Sequence, residues 1–203
     1  GGAAASADAA AKATNPSAWV IGPIIRGRSY SQGMPLHPSP GPGRGWHIDL
    51  PPAPGSVHYV TFRHVSHEGK RRIAMRYRIE AARSARIEPS NAPGAPSIIT
   101  LYFQRRGDNW SARGRFEAYR WYATFASQSP ITPGDHEMVA SLDGNWTAVQ
   151  TSSARNNPAA FREAIAAADQ VGFVLGGGDG FGDGVYATGS GRVILTQFRG
   201  EWR

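Results

Sequence analysis

The chain has 203 residues, a formal net charge of +7 and no cysteine, and its length suits one domain with a sizeable core. The absence of cysteine excludes a disulfide scaffold and a thiolate zinc site. No run approaches the roughly 18 to 20 apolar residues of a membrane helix, so we expect no membrane-spanning segment.

Residues 1–17, GGAAASADAAAKATNPS, are small, Ala-rich and polar. We interpret them as a flexible tail before a single domain at residues 18–203. The segment resembles what remains after a signal or anchor is removed, which predicts a secreted, periplasmic or cell-surface protein. A cloning remnant or a short helix fits the same composition.

Nine segments alternate at period two, are rich in Val, Ile, Tyr, Phe and Thr, and are bounded by Gly, Pro, Asn and Asp clusters. This pattern predicts an all-β fold, an antiparallel β-sandwich of jelly-roll type. The predicted strands are AWVIGPII near Trp19, GWHIDL near Trp46, VHYVTFRHV from Val57, RRIAMRYRIEA from Arg71, SIITLYFQRR from Ser97, RFEAYRWYATF from Arg115, HEMVASL from His136, QVGFVLGG from Gln170 and RVILTQFRG from Arg192.

One segment, NPAAFREAIAAADQ, has helical spacing instead. Asn157 suits the N-cap and Pro158 the first helical position, where its missing N–H costs nothing. Phe161, Ile165 and Ala168 then share one face. The segment predicts one short helix over an open end of the sandwich, without a chemical role.

The strand SIITLYFQRR carries binding-type side chains on the face that its core residues leave free. Ile99, Leu101 and Phe103 alternate with polar and aromatic residues, which must point to the opposite face. Aromatic rings pack on the C–H face of a sugar, and Gln and Arg bond to its hydroxyls or carboxylates. The alternative is a polar face covered by the N-terminal segment.

Neighbouring segments supply more candidates for this face. The preceding run offers Arg78, and the following run offers either Tyr119 and Trp121 or Arg120 and Tyr122, depending on the register. The loop RRGDNWSARGR adds a Trp at its tip and an Asp, as recognition residues or as parts of a self-packed hairpin in which the Asp neutralises Arg106 or Arg113. The predicted ligand-binding residues are Arg78, Tyr102, Gln104, Arg106, Asp108, Trp110, Tyr119 and Trp121.

The Gly-dense stretch GGGDGFGDGVYATG, residues 176–189, offers Asp179 and Asp183 as oxygen ligands for calcium. The GGxGxD calcium repeat is missed by one position, and a long hairpin with several residues at positive φ is the alternative. A phosphate-cradling loop would need a following helix and a Lys-Ser/Thr pair, and this stretch of the sequence has neither. Calcium is therefore the only cofactor that the sequence suggests.

From Ser97 onward, the segment order resembles the second half of galactose-binding-domain-like jelly rolls, the fold of many bacterial carbohydrate-binding modules. The resemblance lies in SIITLYFQ, a Trp- and Tyr-bearing strand, ITPGDHEMVASLDGNW, a small helix, VGFVLGGG and RVILTQFRG. It includes no catalytic signature and lacks the acidic terminal-strand motif that holds calcium in some of these modules. The resemblance implies a jelly-roll fold and glycan binding.

We therefore expect an exported domain that binds polysaccharide or oligosaccharide without catalysis. The arginines suggest a preference for acidic polysaccharide, because only Lys12 and Lys70 of the 22 Lys and Arg residues are lysines, although genome composition explains this excess equally well. Their scatter along the chain argues against nucleic acid as a partner.

Two other classes of function stay open. One is a polysaccharide lyase or glycoside hydrolase that uses His58 or His64 with Tyr119 and an arginine. A zinc trio that adds His67 is conceivable, but the spacing does not support it. The other is a structural or protein-interaction domain of a cell envelope.

Overall fold

The computed structural model describes residues 13–54, 58–63, 71–123, 125–150 and 152–201. Two main antiparallel sheets pack as a sandwich, and a short α-helix, α1, spans Pro158–Ala166. The predicted antiparallel β-sandwich with one short helix is confirmed. Within the described ranges, no helix is both long enough and apolar enough to cross a membrane.

The two sheets, here called the front sheet and the back sheet, have seven and five strands. Across the front sheet lie β1 (Trp19–Gly22), β6 (His58–Phe62), β14 (Ala168–Gly176), β9 (Ile98–Arg105), β10 (Arg120–Tyr122) and β13 (Thr147–Ala148), with β11 (Ser129–Pro130) also paired to β9. Across the back sheet lie β12 (Gly134–Ser141), β7 (Arg72–Ala81), β16 (Gly191–Glu201), β5 (Trp46–Asp49) and β4 (Ser39–Pro40). Two small pairs are β2 (Ile24–Ile25) with β3 (Arg28–Ser29), and β8 (Ile87–Pro89) with β15 (Val185–Ala187).

Aromatic rings fill the core between the sheets. Trp19 on the front sheet stacks on Phe62 at 5.4 Å and meets Phe198 of the back sheet edge-on at 5.0 Å. Helix α1 places Phe161 edge-on against Trp121 at 5.1 Å. Burying such large rings removes much apolar surface from water, at about 25 cal/mol per Å², so these contacts hold the sheets and the helix together.

Two sequence-based boundaries are wrong. The run RFEAYRWYATF was predicted to be one strand, but Gly114–Ala118 is a 3-10 helix and only Arg120–Tyr122 is extended. The predicted helix at residues 157–170 ends at Ala166, because Ala168–Gly176 is recruited as a central strand that pairs with β6 and β9. In the second case long-range pairing outweighs the local pattern.

The register of the front sheet decides which residues share the outer face of β9. Tyr122 pairs with Tyr102, and Arg120 pairs with Gln104. Because side chains alternate along a strand, these four residues lie on the outer face, while Trp121 points into the core. Of the two alternatives that the sequence left open, the structure selects Arg120 and Tyr122.

Candidate functional site

Two loops cover the outer face of the front sheet: the Trp110 loop, residues 106–113, and the glycine loop, residues 177–184. Trp110 packs edge-on against Tyr59 at 5.5 Å, and Phe181 packs edge-on against Tyr122 at 5.0 Å. Tyr102 beneath them is fully buried. The face predicted to meet a ligand is therefore a second, small core, closed by the protein's own loops.

A network of tyrosine hydroxyls ties this second core together. The Tyr102 hydroxyl bonds to Thr61, and the hydroxyls of Tyr59 and Tyr122 bond to each other. Gly172 of β14 pairs with both Thr61 and Tyr102 and has no side chain, so Tyr102 can reach across it. Burial is the main cause that raises the pKa of Tyr59 well above its ordinary value, with a further contribution from Tyr122. The buried hydroxyl bonds thus tie β6, β9 and β10 together beneath the two loops.

Asp108 organises the Trp110 loop from inside. One of its carboxylate oxygens accepts hydrogen bonds from Arg120 Nη1 at 2.6 Å and Gln104 Nε2 at 2.9 Å. The other accepts from the backbone N–H of Trp110 at 3.1 Å. The arginine that Asp108 neutralises is therefore Arg120, not Arg106 or Arg113 as the hairpin alternative supposed. With its side chain only 1% exposed, Asp108 positions other groups.

Beside Trp110 lies an open depression of about 430 Å³, which we call the aromatic cleft. It is bounded by the Trp110 loop and by the β2–β3 hairpin with the residues that follow it. Tyr30 is 42% exposed there, and the Arg28 guanidinium lies 5.3 Å from the centre of its ring. The lining residues are Ile25, Arg26, Arg28, Tyr30, Asn109, Trp110 and Ser111.

Trp110 also lines a second, smaller depression of about 50 Å³, which we call the polar notch. Thr61, Arg63 and Gln170 supply its polar groups. Since Trp110 lines both depressions, the notch adjoins the cleft at this residue. The remaining lining residues of the notch are Val20, Gly22, Pro23 and Ile24.

Unusual backbone conformations concentrate at the cleft. Among the described residues, only three that are not glycine have positive φ: Arg26 at 53°, Trp110 at 68° and Ala112 at 54°. All three belong to the hairpin turn or the Trp110 loop. A residue with a Cβ in this region is strained by about 1 to 2 kcal/mol, and such strain clusters at ligand sites. The backbone thus marks the same place as the aromatic rings.

Sequence reasoning missed the hairpin that forms one wall of the cleft. Only the first two residues of the segment IIRGRSY were predicted to be extended, as the end of the strand near Trp19. An Arg-Gly pair between two short extended pairs is a signal for a two-residue hairpin turn, and Arg alternating with Tyr is a signal for a binding edge. Those signals could have identified Arg26, Arg28 and Tyr30.

Arg78, a predicted ligand-binding residue, lies on a different sheet from Tyr102. It belongs to β7 of the back sheet, whereas Tyr102 belongs to β9 of the front sheet. Arg78 forms ion pairs with Glu80 at 3.4 Å and Asp135 at 3.5 Å on the outer face of the back sheet. The prediction that it joins the face of Tyr102 is wrong, because β7 and β9 pair with different neighbours.

The remaining predicted residues fall in three environments. Trp121 is fully buried in the sandwich core. Tyr119 is half-buried, with the Arg105 guanidinium 4.7 Å from its ring centre. Arg106 is exposed. Burial raises the pKa of the nearby Asp169, and the positive charge of Arg106 opposes that rise. Of the predicted set, Trp110 alone lines the cleft, and Asp108 supports it from below.

The predicted calcium ligands lie close together in the glycine loop. Asp183 accepts a hydrogen bond from Asn91 Nδ2 at 2.8 Å, and Asp179 accepts one from the backbone N–H of Phe181 at 3.1 Å. Burial, and then the neighbouring Asp179, raise the pKa of Asp183 to about 6. The described residues contain no cluster of three or more His, Asp or Glu side chains suited to a metal. Calcium binding by the two aspartates stays a prediction.

His58 is the one candidate catalytic histidine within the described residues, because His64 and His67 lie outside them. Its side chain is 1% exposed, and Nδ1 accepts a hydrogen bond from the backbone N–H of Val185 at 3.3 Å. Burial lowers the pKa of His58 to about 4. A neutral imidazole enclosed in this way affects stability and does not face either depression.

We therefore predict that His58 makes the fold sensitive to mild acid. Between pH 6.5 and 4 the unfolded chain protonates His58 and the folded chain does not, so this residue lowers the unfolding free energy by about 3 kcal/mol over the window. Asp183 acts in the opposite direction, because its raised pKa lets the folded state hold a proton that the unfolded state releases. Urea unfolding at pH 7, 5.5 and 4.5 should show a shallower decline in His58→Gln than in the parent, and equal slopes would contradict the prediction.

Comparisons with protein-family models, with curated proteins and with solved structures found no match. No relative therefore shows what this chain binds. A functional assignment depends on the side chains of the cleft and the notch and on the way the fold holds them.

Proposed function

We propose that this sandwich is a non-catalytic carbohydrate-binding domain whose ligand lies in the aromatic cleft. The observation that carries the proposal is an open cleft lined by two aromatic residues, Tyr30 and Trp110, together with Asn109 and Ser111. Aromatic rings pack on the C–H faces of sugars, while amides and hydroxyls bond to sugar hydroxyls. Concave sites with a few converging polar groups are typical of ligand binding.

The support beneath Trp110 favours a binding role for this ring. Tyr59 meets it edge-on at 5.5 Å, the Arg120 guanidinium lies 4.7 Å from its ring centre, and Asp108 accepts its backbone N–H. A ring held in place before binding loses little conformational freedom when a ligand arrives. The buried network thus gives the cleft a rigid wall.

The lining of the two depressions supports binding over glycoside hydrolysis. Among the described residues that line the cleft and the notch, none is Asp, Glu or His. Glycoside hydrolysis needs a pair of carboxyl groups across the bond that breaks. His58, offered by the enzyme alternative, is enclosed elsewhere in the fold.

The resemblance to galactose-binding-domain-like jelly rolls belongs to the same proposal. The antiparallel two-sheet sandwich agrees with it at the level of architecture. We retain an exported location, whether secreted, periplasmic or at the cell surface, because glycan-binding modules of that family meet their ligands outside the cell.

The test is binding to a panel of soluble neutral and acidic polysaccharides by affinity electrophoresis, with new reducing ends and unsaturated products monitored in the same samples. Tyr30→Ala should lose about 1 to 3 kcal/mol of binding free energy without unfolding, because its ring is largely exposed. Tyr186→Ala, outside the cleft, is the matched control. Retention of parent affinity in Tyr30→Ala would place the ligand elsewhere. Accumulation of reaction products would replace the proposal with the lyase or hydrolase alternative. Absence of binding to every polysaccharide of the panel would overturn the proposal in favour of a protein partner.

A further inference from the structure

Three arginines, and no acidic residue among the described lining residues, surround the cleft and the notch. Arg26 and Arg28 line the cleft and Arg63 lines the notch. None of the three forms an ion pair with a described carboxylate, although the charge of Arg63 acts on Asp169 and opposes the rise in its pKa that burial causes. No acidic residue is among the described lining residues. The Arg28 guanidinium lies over the Tyr30 ring.

The back sheet shows the opposite arrangement. On its outer face, Arg76 pairs with Glu137 at 3.3 Å and Arg192 pairs with Glu80 at 2.8 Å. Arginines are therefore scattered through the sequence, but in the fold Arg76 and Arg192 of the back sheet have carboxylate partners, whereas Arg26 and Arg28 of the cleft form no ion pair with a described carboxylate. Unpaired guanidinium groups around a concave site attract and orient anions.

The conformation of Arg26 points the same way. It is the first central residue of the two-residue β2–β3 turn, with φ at 53°, and Gly27 follows at 79°. Asn, Asp or Gly suits the first position of such a turn better than a long side chain does. An arginine at this strained position contributes nothing to the turn that a smaller residue would not, and its guanidinium is placed at the cleft.

The sizes of the two depressions limit what each can hold. The aromatic cleft, at about 430 Å³, admits a sugar ring, whereas the polar notch has about 50 Å³. A cavity needs about 10 to 15 Å³ on this measure to hold one water, so the notch has room for a small group such as a carboxylate or a sulfate. Arg63 and Gln170 in the notch offer the donors that such a group needs.

We infer that the ligand is an anionic saccharide, with a sugar unit in the aromatic cleft against Tyr30 and Trp110 and an acidic substituent in the polar notch at Arg63. Arg26 and Arg28 contact further acidic groups at the other side of the cleft. This inference rests on the proposed function and specifies its ligand class. A uronate carboxylate and a sulfate ester share the chemistry that the arginines recognise.

The experiment compares ligands that differ only in charge. Oligogalacturonate and its methyl ester have the same backbone, and dextran sulfate and dextran separate the sulfate source from the carboxylate source. The variants are Arg63→Gln and Arg26→Gly, with Arg76→Gln on the back sheet as a control for the loss of one charge. Arg26→Gly keeps the turn, because glycine adopts positive φ without strain.

We expect the parent to bind one of the charged ligands and not its neutral partner. Arg63→Gln and Arg26→Gly should each weaken that binding about tenfold or more, as loss of a charge-assisted hydrogen bond predicts, whereas Arg76→Gln should not. An equal loss in all three variants would reduce the effect to net charge and overturn the inference. Neutral saccharide binding that depends on Tyr30 but not on Arg63 would overturn the inference alone, and absence of any saccharide binding would overturn the proposed function as well.

Discussion

Replacing Asp108 with alanine is expected to lower the unfolding free energy by about 3 to 5 kcal/mol, because it leaves a buried arginine without its counter-ion. The Arg120 Nη1 to Asp108 Oδ2 distance is 2.6 Å, and the two side chains are 6% and 1% exposed. A charge taken out of water and left unpaired carries its full desolvation penalty. Urea or guanidinium unfolding of the parent and the variant measures the loss.

A matched pair on the surface gives the control. Arg105 and Glu163 lie 3.4 Å apart, with side chains 30% and 66% exposed, so Glu163→Gln should cost less than 1 kcal/mol. If Asp108→Ala costs no more than Glu163→Gln, the buried pair does not hold the Trp110 loop.

A double variant separates the charge from the packing. Asp108→Leu with Arg120→Met removes both charges and keeps much of the volume, and such replacements are often neutral or stabilising compared with the loss of one partner. We therefore expect it to be more stable than Asp108→Ala. Its Trp110 loop should nevertheless bind saccharide more weakly, because the cation–π contact and the bond to the Trp110 N–H are gone.

The strands of the sandwich could be predicted because a strand with one face in the core has a buried apolar residue at every second position. On β9, Ile99, Leu101 and Phe103 alternate with residues of another character, and all three are buried in the core as predicted. The outer face of the same strand could not be interpreted from its pattern. A row of Thr, Tyr and Gln suits a ligand surface, and it suits equally well a small core closed by a loop that folds back.

The register of β10 explains why Arg120, and not the predicted Trp121, lies on the outer face of the front sheet. A shift of one residue moves every side chain to the opposite face, and the start of β10 depends on the 3-10 helix Gly114–Ala118 before it. That helix has no period-two signature. The choice was therefore set by pairing with β9, which local sequence does not encode.

The meeting of the two walls of the cleft could not be predicted, because they come from distant parts of the chain. Tyr30 follows the β2–β3 hairpin, whereas Trp110 lies in a loop after β9, and only the sandwich brings them together. Of the predicted ligand-binding residues, Trp110 is the one in the wall. Its partners carried no local pattern stronger than an Arg-Gly turn.

Trp110 and Trp121, both predicted to bind the ligand, should respond to replacement by alanine in opposite ways. Trp121 is fully buried, packs edge-on against Phe161 at 5.1 Å, and donates from Nε1 to the Ala118 carbonyl at 2.9 Å. Trp121→Ala should therefore lower the unfolding free energy by about 3 to 5 kcal/mol, the range for truncating a buried large ring. Wherever the variant is still folded, its saccharide affinity should equal that of the parent.

Trp110→Ala should show the reverse, because Trp110 is half-buried and lines both depressions. We expect a smaller loss of stability and a loss of saccharide binding, measured by titration at a temperature where both variants are folded. A Trp121→Ala variant as stable as the parent but unable to bind would require the Trp121 ring to face the ligand. That would conflict with the pairing of Trp121 and Phe103 on the core side of the front sheet, and the site would then have to be sought on a different register of β10.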